Sequence, residues 1–250
     1  ANAGPVVARL YVKAHGADDA LVMIQSPKQA LAPGAAPTLR WTVEVPVGCL
    51  IGRVGVQLTS EGRAEGSVYL DWLTWEGAPA VAFDPPAHHG TLWRDAWVQA
   101  CSQFITGREQ TYRIIQDEGT GLILQGTREW RDYAVRAELT PHLARSFGVA
   151  VRGQGLRRYY ALRLATGGVA QLVRELDGTH ILAEAPCAWS LYETYDFELA
   201  VQGQRLRGSI NGQALFDLVD ESPLTGGAIA LLVEEGRLGA NAVAVGPVAD

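Results

Sequence analysis

Arg136 and Glu138 stand two residues apart in the stretch at 126–139, GTREWRDYAVRAEL, where Tyr133, Val135, Ala137 and Leu139 alternate with them. A period of two sends the apolar set to a core and leaves the guanidinium and the carboxylate together on the other side. Further on, 147–153 (FGVAVRG) and 158–165 (RYYALRLA) read as a hairpin around 153–157. That register pairs Arg152 with Tyr159, Ala150 with Ala161, and Gly148 with Arg163. Running 133–139 antiparallel beside it brings Arg136 near Ala150 and Glu138 near Gly148. Gly148, Ala150 and Ala161 then make a shallow floor, with Arg136, Glu138, Arg152, Tyr159 and Arg163 around it.

Such a groove suits a sugar. Aromatic faces stack on the C–H-rich side of a pyranose, while guanidinium and carboxylate groups hydrogen-bond its hydroxyls. An arginine-rich floor also fits an acidic sugar or a phosphate. The competing reading is a solvated sheet face whose cross-strand ion pairs contribute about 0.2–1 kcal/mol each. Register decides between them, because a slip of one residue turns every side chain over.

Other candidates for chemistry are weaker. The neighbouring acids Asp117/Glu118, Asp220/Glu221 and Glu234/Glu235 point to opposite faces of a strand, whereas glycoside cleavage needs two carboxyls facing one bond. Glu138 is the acid that an enzymatic reading would test. His15, His88, His89, His142 and His180 show no metal-ligand spacing, and no spaced Asp-x-Asp-x-Asp run marks a calcium loop. Nucleophile elbows, phosphate-binding glycine loops and dinucleotide fingerprints are absent. The tryptophans Trp41, Trp72, Trp75, Trp93, Trp97, Trp130 and Trp189 read first as core residues and second as sugar platforms. Trp72 and Trp75 differ in parity, so a regular strand would bury one and expose the other. Tyr159 and Tyr160 must likewise face opposite ways.

The elements that would position these groups are strands. The chain has 250 residues, 48% hydrophobic and 19% charged, with 28 glycines, a globular composition rich in strand formers and turn formers. A net charge of −6 argues against a nucleic-acid partner, and no apolar run is long enough to span a membrane. Cys49, Cys101 and Cys187 are odd in number and widely spaced, so they read as buried free thiols in a reducing, cytoplasmic compartment.

A first unit, 1–82, is expected to hold strands at 5–14, 20–26, 38–46, 51–60 and 67–77, a small sheet or partial jelly roll. The Pro- and Ala-rich 77–90 (GAPAVAFDPPAHHG) reads as a linker or crossing. The second unit, 83–250, reads as an antiparallel β-sandwich of about twelve short strands. Its hairpin turns are ATGGVA, LDGTH and SINGQA, where Gly-Gly, Asp-Gly and Asn-Gly tolerate positive φ. Separate strands are expected at 112–119 and 120–126, and 141–147 is the only candidate helix.

Residues 128–139, 148–164 and 172–178, then 195–236 with INGQALFDLVD and PLTGGAIAL, resemble a concanavalin A-like, laminin G-like jelly roll. The arrangement is also similar to the β-rich C-terminal region of some bacterial ADP-ribosylglycohydrolase-family proteins. That enzyme's metal-binding acidic motifs are absent, so its activity is not implied. In sugar-binding jelly rolls a terminal strand often opens with an aspartate that helps hold calcium. Asp71 in VYLDWLTWEG matches that position, while the last strand opens Gly239-Ala240-Asn241 instead. The resemblance implies a non-catalytic carbohydrate-binding or accessory module, part of a longer chain with a neighbouring catalytic domain. A glycoside hydrolase-like enzyme and a purely structural module are the alternatives.

Overall fold

The computed structural model describes residues 6–16, 19–46, 49–63, 65–83, 91–106 and 111–248. It divides into one unit of Ala1–Trp75 with Pro86–Ala96, and another of Glu76–Pro85 with Trp97–Asp250. Among the described residues no helix is long and apolar enough to cross a membrane.

In the first unit, β1 (Val6–His15) is the central strand of a single antiparallel sheet. β2 (Leu21–Gln25) and β3 (Gln29–Leu31) share one of its edges, and β4 (Leu50–Ser60) takes the other. Ser26 bridges the step from β2 to β3: its amide donates to the Leu10 carbonyl and its hydroxyl accepts from the Leu10 amide, both at 2.9 Å. A short 3-10 helix at Leu92–Ala96 buries Trp93. Asp19 caps it by accepting from the amides of Leu92 and Trp93 at 2.8 and 2.6 Å, as an N-terminal acceptor should.

Two expected strands do not form. Residues 38–46 and 67–77 keep their alternating sequence but join no sheet. Alternation supplies two faces, whereas a strand also needs a partner for its backbone groups. Tyr69, Trp72 and Trp75 are 86%, 61% and 40% exposed, so neither Trp72 nor Trp75 is the buried one of a pair.

The second unit contains β5 (Val81–Ala82), β6 (Val98–Ala100), β7 (Gln103–Ile105), β8 (Tyr112–Gln125), β9 (Tyr133–Leu143), β10 (Ser146–Gly155) and β11 (Arg158–Ala165). It continues with β12 (Val169–Leu176), β13 (Thr179–Pro186), β14 (Tyr195–Gln202), β15 (Arg205–Ile210), β16 (Gln213–Val219) and the long β17 (Ala228–Gly246). Residues 112–125 are therefore one strand, and 141–147 spans the end of β9, the turn at 144–145 and the start of β10 rather than a helix.

β17 belongs to two layers. Up to Glu234 it lies between β10 and the second half of β8; from Arg237 it lies between β9 and the first half of β8. The break falls at Glu235, whose φ is +43°, and at Gly236, where a Cβ would sit 1.8 Å from the Leu143 carbonyl oxygen. One layer runs β13-β12-β11-β10-β17-β8-β6 and the other β16-β15-β14-β9-β17-β8-β7. The unit is an antiparallel β-sandwich of jelly-roll type.

Phe147, Leu162, Leu172, Leu231 and Val233 of the first layer meet Tyr133, Val135, Phe197, Leu199 and Leu206 of the second, all fully buried. Phe147 and Phe197 touch edge-to-face, with centroids 5.7 Å apart. Each such side chain contributes about 1.5–3 kcal/mol by leaving water. The other side of the first layer is also apolar: Leu122, Leu124, Ala150, Tyr159, Ala161, Val173, Ala228, Ala230 and Leu232 form a second buried cluster.

Part of the expected linker is tied down. Val81 and Ala82 pair with Val245 and Ala244, and Phe83 packs on Trp97 with centroids 5.2 Å apart. Residues 84–90, with His88 and His89, lie outside the described residues.

Candidate functional site

The β10–β11 hairpin has Gly148 opposite Arg163 and Ala150 opposite Ala161, the pairs its sequence suggests. Beyond Val151, opposite Tyr160, the register shifts. The cause is Arg152, whose φ is +52°; it bulges out of the ladder and does not pair with Tyr159. Its side chain turns inward and is 2% exposed. Nε and Nη2 donate to the Arg131 carbonyl at 3.3 and 3.2 Å, and Nη1 donates to the Leu224 carbonyl at 2.5 Å. Burial lowers its pKa, and the neighbouring Asp132 opposes that shift. Arg152 ties two loops together and is not part of a groove.

Arg136 and Glu138 do not reach the hairpin either, because β17 is inserted between β9 and β10. Both lie on the outer side of the second layer. Arg136 donates from Nη2 to Glu198 Oε1 at 3.1 Å and is half-exposed, while Glu138 stands opposite Asp196. For Arg136 the cross-strand-pair reading describes what is seen, while Glu138 faces a second carboxylate. Of the five expected groove residues, Tyr159 and Arg163 alone share a side with Gly148, Ala150 and Ala161.

New partners join them. Arg163 Nε donates to Gln171 Oε1 at 2.9 Å, and Gln171 Nε2 donates to Glu184 Oε2 at 2.6 Å. Across Gly148, the Ser146 hydroxyl donates to Glu234 Oε2 at 2.7 Å. Toward the other end of β12, the Thr179 hydroxyl donates to Glu175 Oε2 at 2.7 Å. Gly148 cannot be anything larger, since a Cβ there would lie 2.0 Å from the Leu162 carbonyl oxygen.

Tyr159 is the distinctive member. The other buried tyrosines all place their hydroxyls in hydrogen bonds: Tyr112 to the Phe83 carbonyl, Tyr133 to that of Gly227, Tyr160 to Asp220, and Tyr195 from the Ser190 amide. Tyr159 is 5% exposed, yet among the described residues its hydroxyl has no hydrogen-bond partner. Burial first, then the charges of Glu175 and Glu234, push its pKa up to about 12, with Arg163 opposing. The hydroxyl therefore stays neutral and able both to donate and to accept.

Sequence reading missed Ser146, Gln171, Glu175 and Glu184, and weighed Glu234 only as half of a pair with Glu235. The signal for Gln171 and Glu175 was present, since they alternate with Ala170 and Leu172 on a strand next to Arg163. Asp220 proves structural, taking the Tyr160 hydroxyl at 2.5 Å and Arg174 Nη1 at 2.9 Å.

Asp71 is exposed, and no group of three His, Cys, Asp or Glu side chains among the described residues could hold a metal ion. Cys49, Cys101 and Cys187 are free thiols, half-buried rather than fully buried. Desolvation pushes the Cys101 thiol up to about 11. Trp93 and Trp97 are core residues, while Trp41, Trp130 and Trp189 are half-buried.

The layers and strand order define a jelly-roll β-sandwich, and known structures share it. The chain is similar to the carbohydrate-binding module CBM66 from Bacillus subtilis, with 15% identity and a TM-score of 0.54, over 60% of this chain and 95% of that one. It is also similar to a Bacillus subtilis protein of unknown function with a galectin-like fold, with 16% identity and a TM-score of 0.50, over 69% of this chain and 97% of that one. At these identities the likeness is one of fold. No sequence family matches the chain, and no curated protein does.

Proposed function

We propose that the second unit is a non-catalytic carbohydrate-binding module whose site is the outer side of the first layer around Tyr159. The observation that carries this reading is the Tyr159 hydroxyl, on the one aromatic side chain of a buried aliphatic cluster and without a partner of its own. The hydroxyl oxygen of this largely buried side chain is still reached from outside, so a sugar hydroxyl can supply the hydrogen bond that the chain does not. Arg163, Gln171 and Ser146 add donors, and Glu175, Glu184 and Glu234 add acceptors, matching the mixed requirements of a polyol. The carbohydrate-binding module among the fold neighbours supports the same reading. The sequence likeness to the region attached to ADP-ribosylglycohydrolase-family proteins supports an accessory role beside a catalytic domain. The three free thiols support a reducing, cytoplasmic setting.

A glycan array tests this with wild-type protein, Tyr159→Phe and Arg136→Ala. Binding by wild type that Tyr159→Phe weakens about tenfold, the size of one lost hydrogen bond, and Arg136→Ala leaves intact is the expected result. A silent array, or equal loss in both variants, would overturn it. Calcium is included in one arm, and calcium-dependent binding that an Asp71→Asn variant loses would support the metal role expected of that residue.

A further inference from the structure

The arginine-rich groove that the sequence suggested would have favoured an anionic sugar. With Arg136 on the other layer and Arg152 buried in loop carbonyls, the charge of the face reverses. Arg163 is the single cation on that side of β10, β11, β12, β13 and β17. Glu175, Glu184 and Glu234 stand there with it, so the formal balance is one positive against three negative, a net of −2.

The three carboxylates share a further property. Glu234 is bonded by the Ser146 hydroxyl, Glu184 by the Gln171 amide and Glu175 by the Thr179 hydroxyl, all neutral donors. None has a cation within ion-pair distance among the described residues. The acids Asp132, Glu198, Asp217, Asp220 and Glu235 do each have an arginine. Glu175 and Glu234 are half-buried and Glu184 is exposed, so their charge is only partly screened and can still be reached. From β17 to β12 is three strand spacings, about 14 Å, which calls for an oligomer rather than a monosaccharide. Both Glu175 and Glu234 act on the Tyr159 hydroxyl, which ties the two ends of the patch to one point.

Resting on the carbohydrate-binding reading of this face, we infer that its preferred ligand is an oligosaccharide with free amino groups. The protonated amine supplies the counter-charge that the three carboxylates lack, the ring hydroxyls meet Tyr159 and Arg163, and uronic or sialic sugars are repelled.

Calorimetric titration at about pH 5 tests this, low enough to keep the weakly basic amines of a sugar oligomer protonated. The probes are a β-1,4-glucosamine oligomer, the same oligomer N-acetylated, and a galacturonate oligomer. Glucosamine binding at least about tenfold tighter than its acetylated form, weakening as salt rises, is expected. In Glu175→Gln/Glu234→Gln that ratio should fall toward one. Glu184→Gln, at an exposed position, supplies a second reading of the ratio if the double variant does not fold. Equal affinity for amine and acetamide, or tighter uronate binding, overturns the inference and leaves the carbohydrate reading standing. No binding of any oligomer, together with a silent array, overturns both.

Discussion

Tyr159 and Tyr160 are neighbours on one strand with opposite hydrogen-bonding fates. Tyr160 points into the sandwich, donates to Asp220 at 2.5 Å and accepts from the Leu224 amide at 3.1 Å. Tyr159 points outward with its hydroxyl unbonded by the chain. Removing one oxygen from each therefore has different consequences. Tyr160→Phe leaves the Leu224 amide without its acceptor and Asp220 with one donor fewer, and should destabilise the fold by about 1–3 kcal/mol. Tyr159→Phe should change stability by less than about 0.5 kcal/mol while weakening the ligand. Urea denaturation of the two variants measures both, and a Tyr159→Phe loss as large as that of Tyr160→Phe would mean that its hydroxyl is structural.

The arginines divide in the same way. Arg152 satisfies the carbonyls of Arg131 and Leu224 from a buried position, so Arg152→Ala should cost about 2–4 kcal/mol through unsatisfied buried groups. Arg136, half-exposed and paired with Glu198, should cost no more than about 1 kcal/mol when truncated. Equal losses in thermal or urea melts would contradict the placement of Arg152.

Asp220 sets an acid dependence. Burial alone would raise its carboxyl, but the hydrogen bonds from Tyr160 and Ser222 and the charge of Arg174 more than offset that, so its pKa lies below the ordinary 3.8. A depressed folded pKa stabilises above the unfolded value and loses that stabilisation as pH falls through the folded one. Wild type should therefore lose stability below about pH 4 more steeply than Asp220→Asn, which is already weakened at pH 7. Urea melts between pH 7 and 2.5 compare the slopes; parallel curves would show that Asp220 carries no linkage.

How far the sequence could be read follows from which contacts are local. The alternation of 133–139, the pairs Gly148–Arg163 and Ala150–Ala161, and the turns at Asp177-Gly178 and Asn211-Gly212 are local. The structure has them, with φ of +52° at Asp177 and +51° at Asn211. The expected groove failed for two reasons that no short window contains. The last strand slots between β9 and β10, although the two follow one another in the chain, and a bulge at Arg152 turns that side chain around. The alternation of Ile229, Leu231 and Val233 with small residues hid a second buried face, because Ala228, Ala230 and Leu232 are buried as well. Glu234 and Ser146 meet across 88 residues, so their partnership was invisible until the register was known.

Gly148 offers a direct check on the site's floor. A methyl there would overlap the Leu162 carbonyl and the Arg163 backbone, none of which can rotate away. Gly148→Ala should cost about 1–3 kcal/mol or more as an overpacking change, and should distort the spacing between Ser146 and Arg163. A stable variant that still binds sugar would show that β10 and β11 approach less closely than described.

The segment at 67–77 supplies the last test. It carries Val68, Tyr69, Leu70, Trp72, Leu73 and Trp75, all exposed, although its alternation suits a paired strand. Large apolar side chains in contact with water contribute little to stability, so Trp72→Ala and Trp75→Ala should each shift it by no more than about 0.5 kcal/mol. Had the segment been paired as its sequence suggests, one of the two would be a core residue and its truncation would cost about 3–5 kcal/mol. Thermal melts of the two variants separate these cases, and an asymmetric loss would mean that 67–77 is the inner strand of a second layer in the first unit.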